Sequence, residues 1–405
     1  MSISRFMALA RRRRFADFVL REAELKSDRF LATELLDAEF AEGDSSYNAC
    51  LTGSDGCVYF ALSTHYPHSD ARLYCLDPAN DRPELIADVG DITDESSRYS
   101  NEARLRQGKV HVPLFELEGA IYTASLQAAP PDSRHYSGGC FLKIDMATHN
   151  VGVVGRAPEG EGIISMALDR KRNRLYGLTY PHGLLLLCDL ATGKTTNIGG
   201  FFGKGEQGYF RKPEASPICR SLALDPRDGI VYWSDSPGRI RAYDAESERA
   251  YWLPGHPLVR DGIRGSHIWR QILWHPVEQV FYGLLYKNNE LFRFDPINKT
   301  VDFIDHIAAA QYRNSKHAFE PPATLAFCLA PDSETLCYLT TGPSMLTCSN
   351  RRVRRTVHFV SYHLPTRQYR DFGALRLSDG RYPIYCQSIS INDGMVYAIC
   401  WIELP

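Results

Sequence analysis

The residue types in this 405-residue chain best suited to chemistry are histidine, tyrosine and arginine, and four of them stand out: His111, Tyr180, Arg220 and Arg270. Arginine meets a carboxylate through a planar two-donor fork, and histidine and tyrosine move protons. Asn48, His65, Glu161, His182, Tyr286, Lys287 and Trp401 add polar groups for hydroxyls and rings that stack on sugar faces. The combination suits an anionic, hydroxyl-rich ligand. These residues run from position 48 to position 401, so only a fold that returns each segment to one place can assemble them.

An internal repeat supplies such a fold. A short apolar strand, a tight polar turn, then an apolar residue and tyrosine recur, with the tyrosines at Tyr59, Tyr122, Tyr176, Tyr232, Tyr282, Tyr338 and Tyr397. The turns include Ser54-Asp55-Gly56 and Asn392-Asp393-Gly394, and Asp-Gly pairs supply the positive φ angles of tight hairpins. Most copies continue into a third strand ending in Asp (Phe141 to Asp145, Leu291 to Asp295) and a more exposed fourth strand. Four antiparallel strands per copy describe the blades of an all-β propeller, and seven copies predict a seven-bladed ring. One domain spans 1–405, with 1–29 as an N-terminal extension or short helix and 30–405 as the propeller. The last copy stops at its second strand, and an open blade would expose sheet edges. Residues before the first blade, especially Phe30 to Leu36, are therefore expected to close it. The Ala, Leu and Glu richness of residues 15–40 favours a helix instead, and both readings stand.

Propeller geometry converts register into location. First-strand openings and second-strand exits share one face, where the central channel opens. Openings carry Asn48, His111, Glu161, Arg220 and Arg270; exits carry His65, Tyr180, His182, Tyr286, Lys287 and Trp401. Tyr176 sits in the repeated register and is expected in the core. Tyr180 is off register and precedes Pro181, so a turn role and a functional one weigh equally. His111 could equally satisfy a backbone carbonyl, and Arg220 and Arg270 could bridge blades. His275 lies in a turn on the opposite face and is expected to be structural.

Composition narrows the partners. With 46 basic and 48 acidic residues the net charge is −2, which gives no global field for nucleic acid or an anionic membrane. No run of 18 apolar residues offers a transmembrane helix. Arg11 to Arg14 could suggest a targeting signal, but Asp17, Arg21, Glu22 and Glu24 interrupt any apolar run after it, which favours an amphipathic surface helix. Eleven cysteines scattered through strand-like segments, Cys50, Cys57, Cys75, Cys140, Cys188, Cys328 and Cys337 among them, fit reduced buried thiols and a cytoplasmic setting. A single carboxylate at the mouth, Glu161, is poor for calcium, and a zinc site from Cys219 and His267 lacks the usual short spacing, so no cofactor is expected. Arg351, Arg352, Arg354 and Arg355 read as a solvated loop more readily than as an anion patch.

The segments Gln107-Gly108-Lys109-Val110-His111, Gly160-Glu161-Gly162-Ile163-Ile164, Leu175-Tyr176-Gly177-Leu178-Thr179-Tyr180-Pro181, Cys219-Arg220-Ser221-Leu222-Ala223-Leu224-Asp225-Pro226, and Trp269-Arg270-Gln271 with Trp274-His275-Pro276 resemble a bacterial seven-bladed propeller family. That family is similar to the propeller-type ulvan lyases, which cleave uronate polysaccharides by β-elimination. The similarity runs from about Tyr47 onward. It implies an acidic oligo- or polysaccharide as partner and a site at the channel mouth. There Tyr180 would act as base and also as acid, His111 as second proton-transfer group or neutraliser, and Arg220 or Arg270 against the carboxylate. The chain departs from the pattern where family members read Ala-Thr-His and Gly-Gly-His: it has Ala124-Ser125-Leu126 and Gly138-Gly139-Cys140, with His135 as a conceivable substitute. The alternative is a non-catalytic propeller that binds an acidic glycan or a protein partner at the same mouth.

Overall fold

The seven register tyrosines are the most regular feature of the core. None is more than 7% exposed, and each sits on the second strand of a hairpin. The computed structural model describes residues 5–9, 16–19, 30–80, 82–93, 104–130, 134–206, 217–260, 266–286, 289–310, 323–341, 356–392 and 394–402. Lys287 and the arginines at 11–14 and 351–355 lie outside the described residues.

The chain opens with β1 (Arg5–Leu9), β2 (Ala16–Val19) and β3 (Phe30–Leu36). The first blade holds β4 (Cys50–Thr52), β5 (Val58–Leu62), β6 (Arg72–Leu76) and β7 (Glu84–Asp88), followed by the short α1 (Val89–Thr93). The second holds β8 (Phe115–Leu117), β9 (Ala120–Ala124), β10 (Cys140–Asp145) and β11 (Val151–Arg156). The third holds β12 (Gly162–Asp169), β13 (Arg174–Tyr180), β14 (Leu184–Asp189) and β15 (Thr195–Gly200). The fourth holds β16 (Ala223–Leu224), β17 (Val231–Ser234), β18 (Ile240–Asp244) and β19 (Arg249–Trp252). The fifth holds β20 (Trp269–His275), β21 (Val280–Leu285), β22 (Glu290–Asp295) and β23 (Thr300–His306). Then come β24 (Phe327–Leu329), β25 (Thr335–Thr341), β26 (Val357–His363), β27 (Gln368–Leu377), β28 (Pro383–Asn392) and β29 (Met395–Ile402).

The chain is an all-β propeller of four-stranded antiparallel blades. Its sheets number six among the described residues, where the repeat predicts seven. Five are separate four-stranded blades, and the sixth is a nine-stranded sheet holding both of the last two tyrosine hairpins. The physical reason is β3, which pairs in parallel with β27 (Ala374↔Phe30 to Leu377↔Thr33) and also with β1 and β2. β1 and β2 in turn pair with β29, so one ladder runs through both hairpins. Residues 30–36 thus join the closing sheet as the open last blade requires, residues 5–9 join them, and residues 16–19 and 30–36 are strands where the composition of residues 15–40 favours a helix. An unpaired sheet edge at β29 outweighs a weak local propensity. Ring closure on the other side uses side chains: Ser388 Oγ accepts from Ala49 N (3.1 Å) and Ser390 Oγ from Thr52 N (2.9 Å).

Strands ending in Asp do what their sequence implies. Asp145 Oδ1 accepts the N–H groups of Ala147 (3.1 Å) and Thr148 (2.9 Å), and Asp189 and Asp295 repeat the turn. Hydrogen bonding from Thr148 holds the Asp145 carboxyl below its ordinary pKa. One cysteine expectation fails: Cys386 and Cys400 face each other across β28–β29 with Cα atoms 4.1 Å apart and form a disulfide, while the other described cysteines are in no disulfide. A separation of 14 residues carries no sequence signature, and the sheet register alone brings the two together. Among the described residues no helix is long and apolar enough to cross a membrane. Innermost strands enclose a channel of about 640 Å³ whose wall includes Leu51, Phe115, Leu168, Leu222, Trp274 and Ile389.

Candidate functional site

One end of the wheel gathers the polar groups. Ahead of β8, residues 105–114 run extended, pinned where Lys109 and Leu126 exchange backbone hydrogen bonds (2.9 and 2.8 Å). Gln107 anchors the start of this segment: its Oε1 accepts from Ser125 Oγ (2.8 Å) and Tyr136 Oη (2.7 Å), and its Nε2 donates to Gly138 O (3.0 Å). Alternation in an extended chain then puts Lys109 and His111 on one side. They line a pocket of about 140 Å³ with Tyr47, Tyr180, Glu206 and Arg220.

His111 is buried and its Nδ1 hydrogen-bonds Ile164 O (3.0 Å). A carbonyl only accepts, so the proton is on Nδ1 and Nε2 is the ring's basic nitrogen. Burial, with Arg220, Arg270 and Lys109 nearby, holds the His111 pKa well below its ordinary value despite the bond to Ile164. His111 is therefore neutral at pH 7. The Tyr47 ring stacks on it, with centroids 4.3 Å apart and planes at 22°. Tyr47 Oη lies 3.1 Å from His65 Nε2, and His65 Nδ1 lies 2.8 Å from Asp44 Oδ1.

Lys109 is half-buried in the same wall, and desolvation brings its ammonium pKa down to about 8, with Asp44 resisting and Arg220 assisting. Arg220 is gripped by Glu206 through two bonds (2.6 and 2.9 Å) and also donates to Ile218 O (2.6 Å). Glu206 N in turn donates to Pro181 O (2.8 Å), which ties the Tyr180-Pro181 turn to the arginine. That peptide bond is cis. Glu161 braces the turn from beneath, accepting from Thr179 Oγ1 and pairing with His182 Nδ1.

The predicted set divides accordingly. His111, Tyr180 and Arg220 share the pocket. Arg270 lies near enough to act electrostatically on both His111 and Tyr47, its guanidinium is 5.6 Å above the Tyr286 ring, and its Nε finds no acceptor among the described residues. Arg220 thus carries its own counter-ion, while Arg270 is paired with no carboxylate among the described residues. His65 borders the pocket through Tyr47. Glu161 and His182 are joined to each other as a brace. Asn48 lines the central channel and Trp401 packs edge-on against Tyr385 (5.5 Å). His135 pairs with Glu159 (3.0 Å) and is not in the pocket wall, so it does not stand in for a missing histidine. The Cys219 thiol is turned to Ser221 O (3.2 Å), and no group of three or more His, Cys, Asp or Glu is placed for a metal among the described residues.

Sequence reasoning missed Tyr47, Lys109 and Glu206. Lys109 was within reach, two residues before His111 on an extended segment. Tyr47 and Glu206 lie in connections without a period and left no signal.

No family model matches the chain, and no curated protein does. Among solved structures, a protein from Lactobacillus plantarum matches with a TM-score of 0.54 at 11% identity, covering 92% of this chain and 96% of that one. An oligogalacturonate lyase in complex with manganese matches with a TM-score of 0.50 at 11% identity, covering 89% and 90%. These likenesses show the propeller fold, and none of them ties the chain by sequence to the ulvan lyases.

Proposed function

We propose that the pocket beside His111 binds a uronate unit of an acidic polysaccharide and that the chain cleaves it by β-elimination. Three demands define that reaction: a base for the C5 proton, neutralisation of the carboxylate, and an acid for the leaving oxygen. The observation that carries the reading is a neutral His111, its Nδ1 proton committed to Ile164, in one small wall with Tyr180 and the cations Lys109 and Arg220. Because Glu206 already occupies both prongs of Arg220, the sugar carboxylate falls to Lys109 and Arg270, with Arg220 positioning Tyr180 through the Glu206–Pro181 link. Tyr180 is the acid for the leaving oxygen, and the open Nε2 of His111 accepts from the sugar beside it. The oligogalacturonate lyase among the structural matches lends the same fold to a uronate-directed name, at an identity that carries no residue across. No resident cofactor is required by these roles. The test is incubation with ulvan and other uronate polymers while following absorbance of the unsaturated uronate. A rise that Tyr180→Phe abolishes supports the reading, and no rise above that variant removes it.

A second reading, a glycan-binding propeller without turnover, is favoured by one observation: Leu126 occupies the pocket wall where the resembling family carries a histidine. Glycan-array binding without product separates the two. We infer further that the ring counts seven spokes, because each of the two hairpins in the nine-stranded sheet carries its own buried tyrosine, Tyr338 and Tyr397, and β28 abuts both β24 and β4. An experimental density map with six radial sheets would end that count.

A further inference from the structure

We propose that Tyr47, with His65 and Asp44 behind it, is a proton-transfer residue of this pocket, taking the substrate's proton while its own passes to His65. The inference rests on the uronate reading above and supplies the proton-transfer capacity that Leu126 and Cys140 leave vacant. Asp44 Oδ1 accepts from His65 Nδ1 (2.8 Å), from His65 N (3.1 Å) and from Ser45 Oγ (2.9 Å). Burial works against the Asp44 charge, but the bonds from His65 and Ser45 prevail and its pKa is lowered. The carboxylate therefore fixes the His65 proton on Nδ1, which leaves Nε2 as acceptor for the Tyr47 hydroxyl at 3.1 Å. The order is carboxylate, imidazole, hydroxyl, the same logic by which a triad activates a nucleophile.

Tyr47 reaches the pocket wall, and its ring is held in place against His111. Burial raises its pKa, so free phenolate does not form at pH 7 and proton removal must be coupled to the step itself. The charged and titratable groups around it are Asp44, His65, Lys109, His111, Tyr180, Glu206, Arg220, Arg270 and Tyr385. Of these, Arg270 favours the phenolate. In the step, the Tyr47 proton moves to His65 Nε2, and the phenolate oxygen takes the C5 proton of the uronate. The C5–H electron pair becomes the C4–C5 double bond, the C4–O bond breaks, and the leaving oxygen takes its proton from Tyr180, which regains one from water. The imidazolium is stabilised by Asp44 and loses its proton to water, since the His65 side chain is 47% exposed.

Two measurements test this. Nitrogen NMR of His65 at pH 8 should show Nδ1 protonated and Nε2 bare, with the Nε2 resonance moving in Tyr47→Phe and the tautomer bias relaxed in Asp44→Asn. A proton on Nε2 overturns the relay, because His65 would then donate to Tyr47 and be unable to receive from it. On a uronate polymer that the wild-type chain cleaves, Tyr47→Phe should lower kcat by about 10²–10⁴ with little change in KM, and the acid limb of the pH profile should move in Asp44→Asn. An unchanged kcat in a Tyr47→Phe protein that melts normally also overturns it. A wild-type chain silent on every uronate polymer sinks the lyase reading instead, and the NMR result still decides the relay.

Discussion

His111 and His275 are both buried histidines on innermost strands or their approaches, at opposite ends of the wheel, and they are used in opposite ways. His275 Nε2 donates to Ser333 O (2.8 Å) and its Nδ1 accepts from Glu278 N (3.0 Å), so both nitrogens are spent on turns. Among the described residues His111 spends only Nδ1. The same contrast extends around each histidine. On the turn face Tyr59 donates to Asp55 (2.7 Å), Tyr282 to Glu278 (2.8 Å), and Arg227 grips Asp225. On the mouth face Lys109 and Arg270 sit beside a neutral ring with capacity to spare. A polar group that closes its accounts locally holds a turn, whereas one that leaves a nitrogen open is available to a ligand.

The largest effect should come from the open nitrogen. His111→Gln is expected to reduce turnover on a uronate polymer by about 10²–10⁴, measured as initial rates, with the melting temperature nearly kept. A rate within twofold of wild type would erase the distinction between the two histidines. Next in size, His275→Ala should cost about 1–3 kcal/mol in denaturant unfolding, because Ser333 O and Glu278 N lose their partner in a buried place, while glycan affinity stays as it was. Smaller again is a pH effect at the mouth. Lys109 keeps its ammonium below about 8, so affinity for a galacturonate oligomer should fall as pH rises through that value, and Lys109→Met should flatten the curve in calorimetric titrations. Smallest is the acid limb of stability. The folded His111 pKa lies below the unfolded value near 6.5, so the unfolded chain binds the extra proton and stability drops as pH falls below that point. His111→Gln should remove part of this slope in urea melts taken between pH 7 and pH 5.

Much of the frame was legible because it is periodic. The tyrosine register, the Asp-capped third strands and the structural turn role of His275 follow from spacing and turn chemistry, and the described residues agree with each. His111, Tyr180 and Arg220 meet because equal hairpins place their ends on one face. Pairings between loops were not legible: Glu206 reaches Arg220 over 14 residues of connection, and Tyr47 finds His65 across a strand end. Nor does composition distinguish a helix from strands that exist only because a sheet edge waits for them, which is why a helix over residues 15–40 weighed equally with the strand that Phe30 to Leu36 in fact contribute to the closing sheet.

The ladder that joins Arg5 to Met395 has a kinetic consequence. The wheel cannot lock until a segment made early meets one made almost 400 positions later, and such distant pairing slows folding far more than it weakens the finished protein. During synthesis the opening strands can pair with one another, but their partners in β27 and β29 emerge only after blade upon blade. Newly made chains should therefore depend on chaperones until release, and tags placed ahead of Arg5 should depress yield more than tags placed on surface turns.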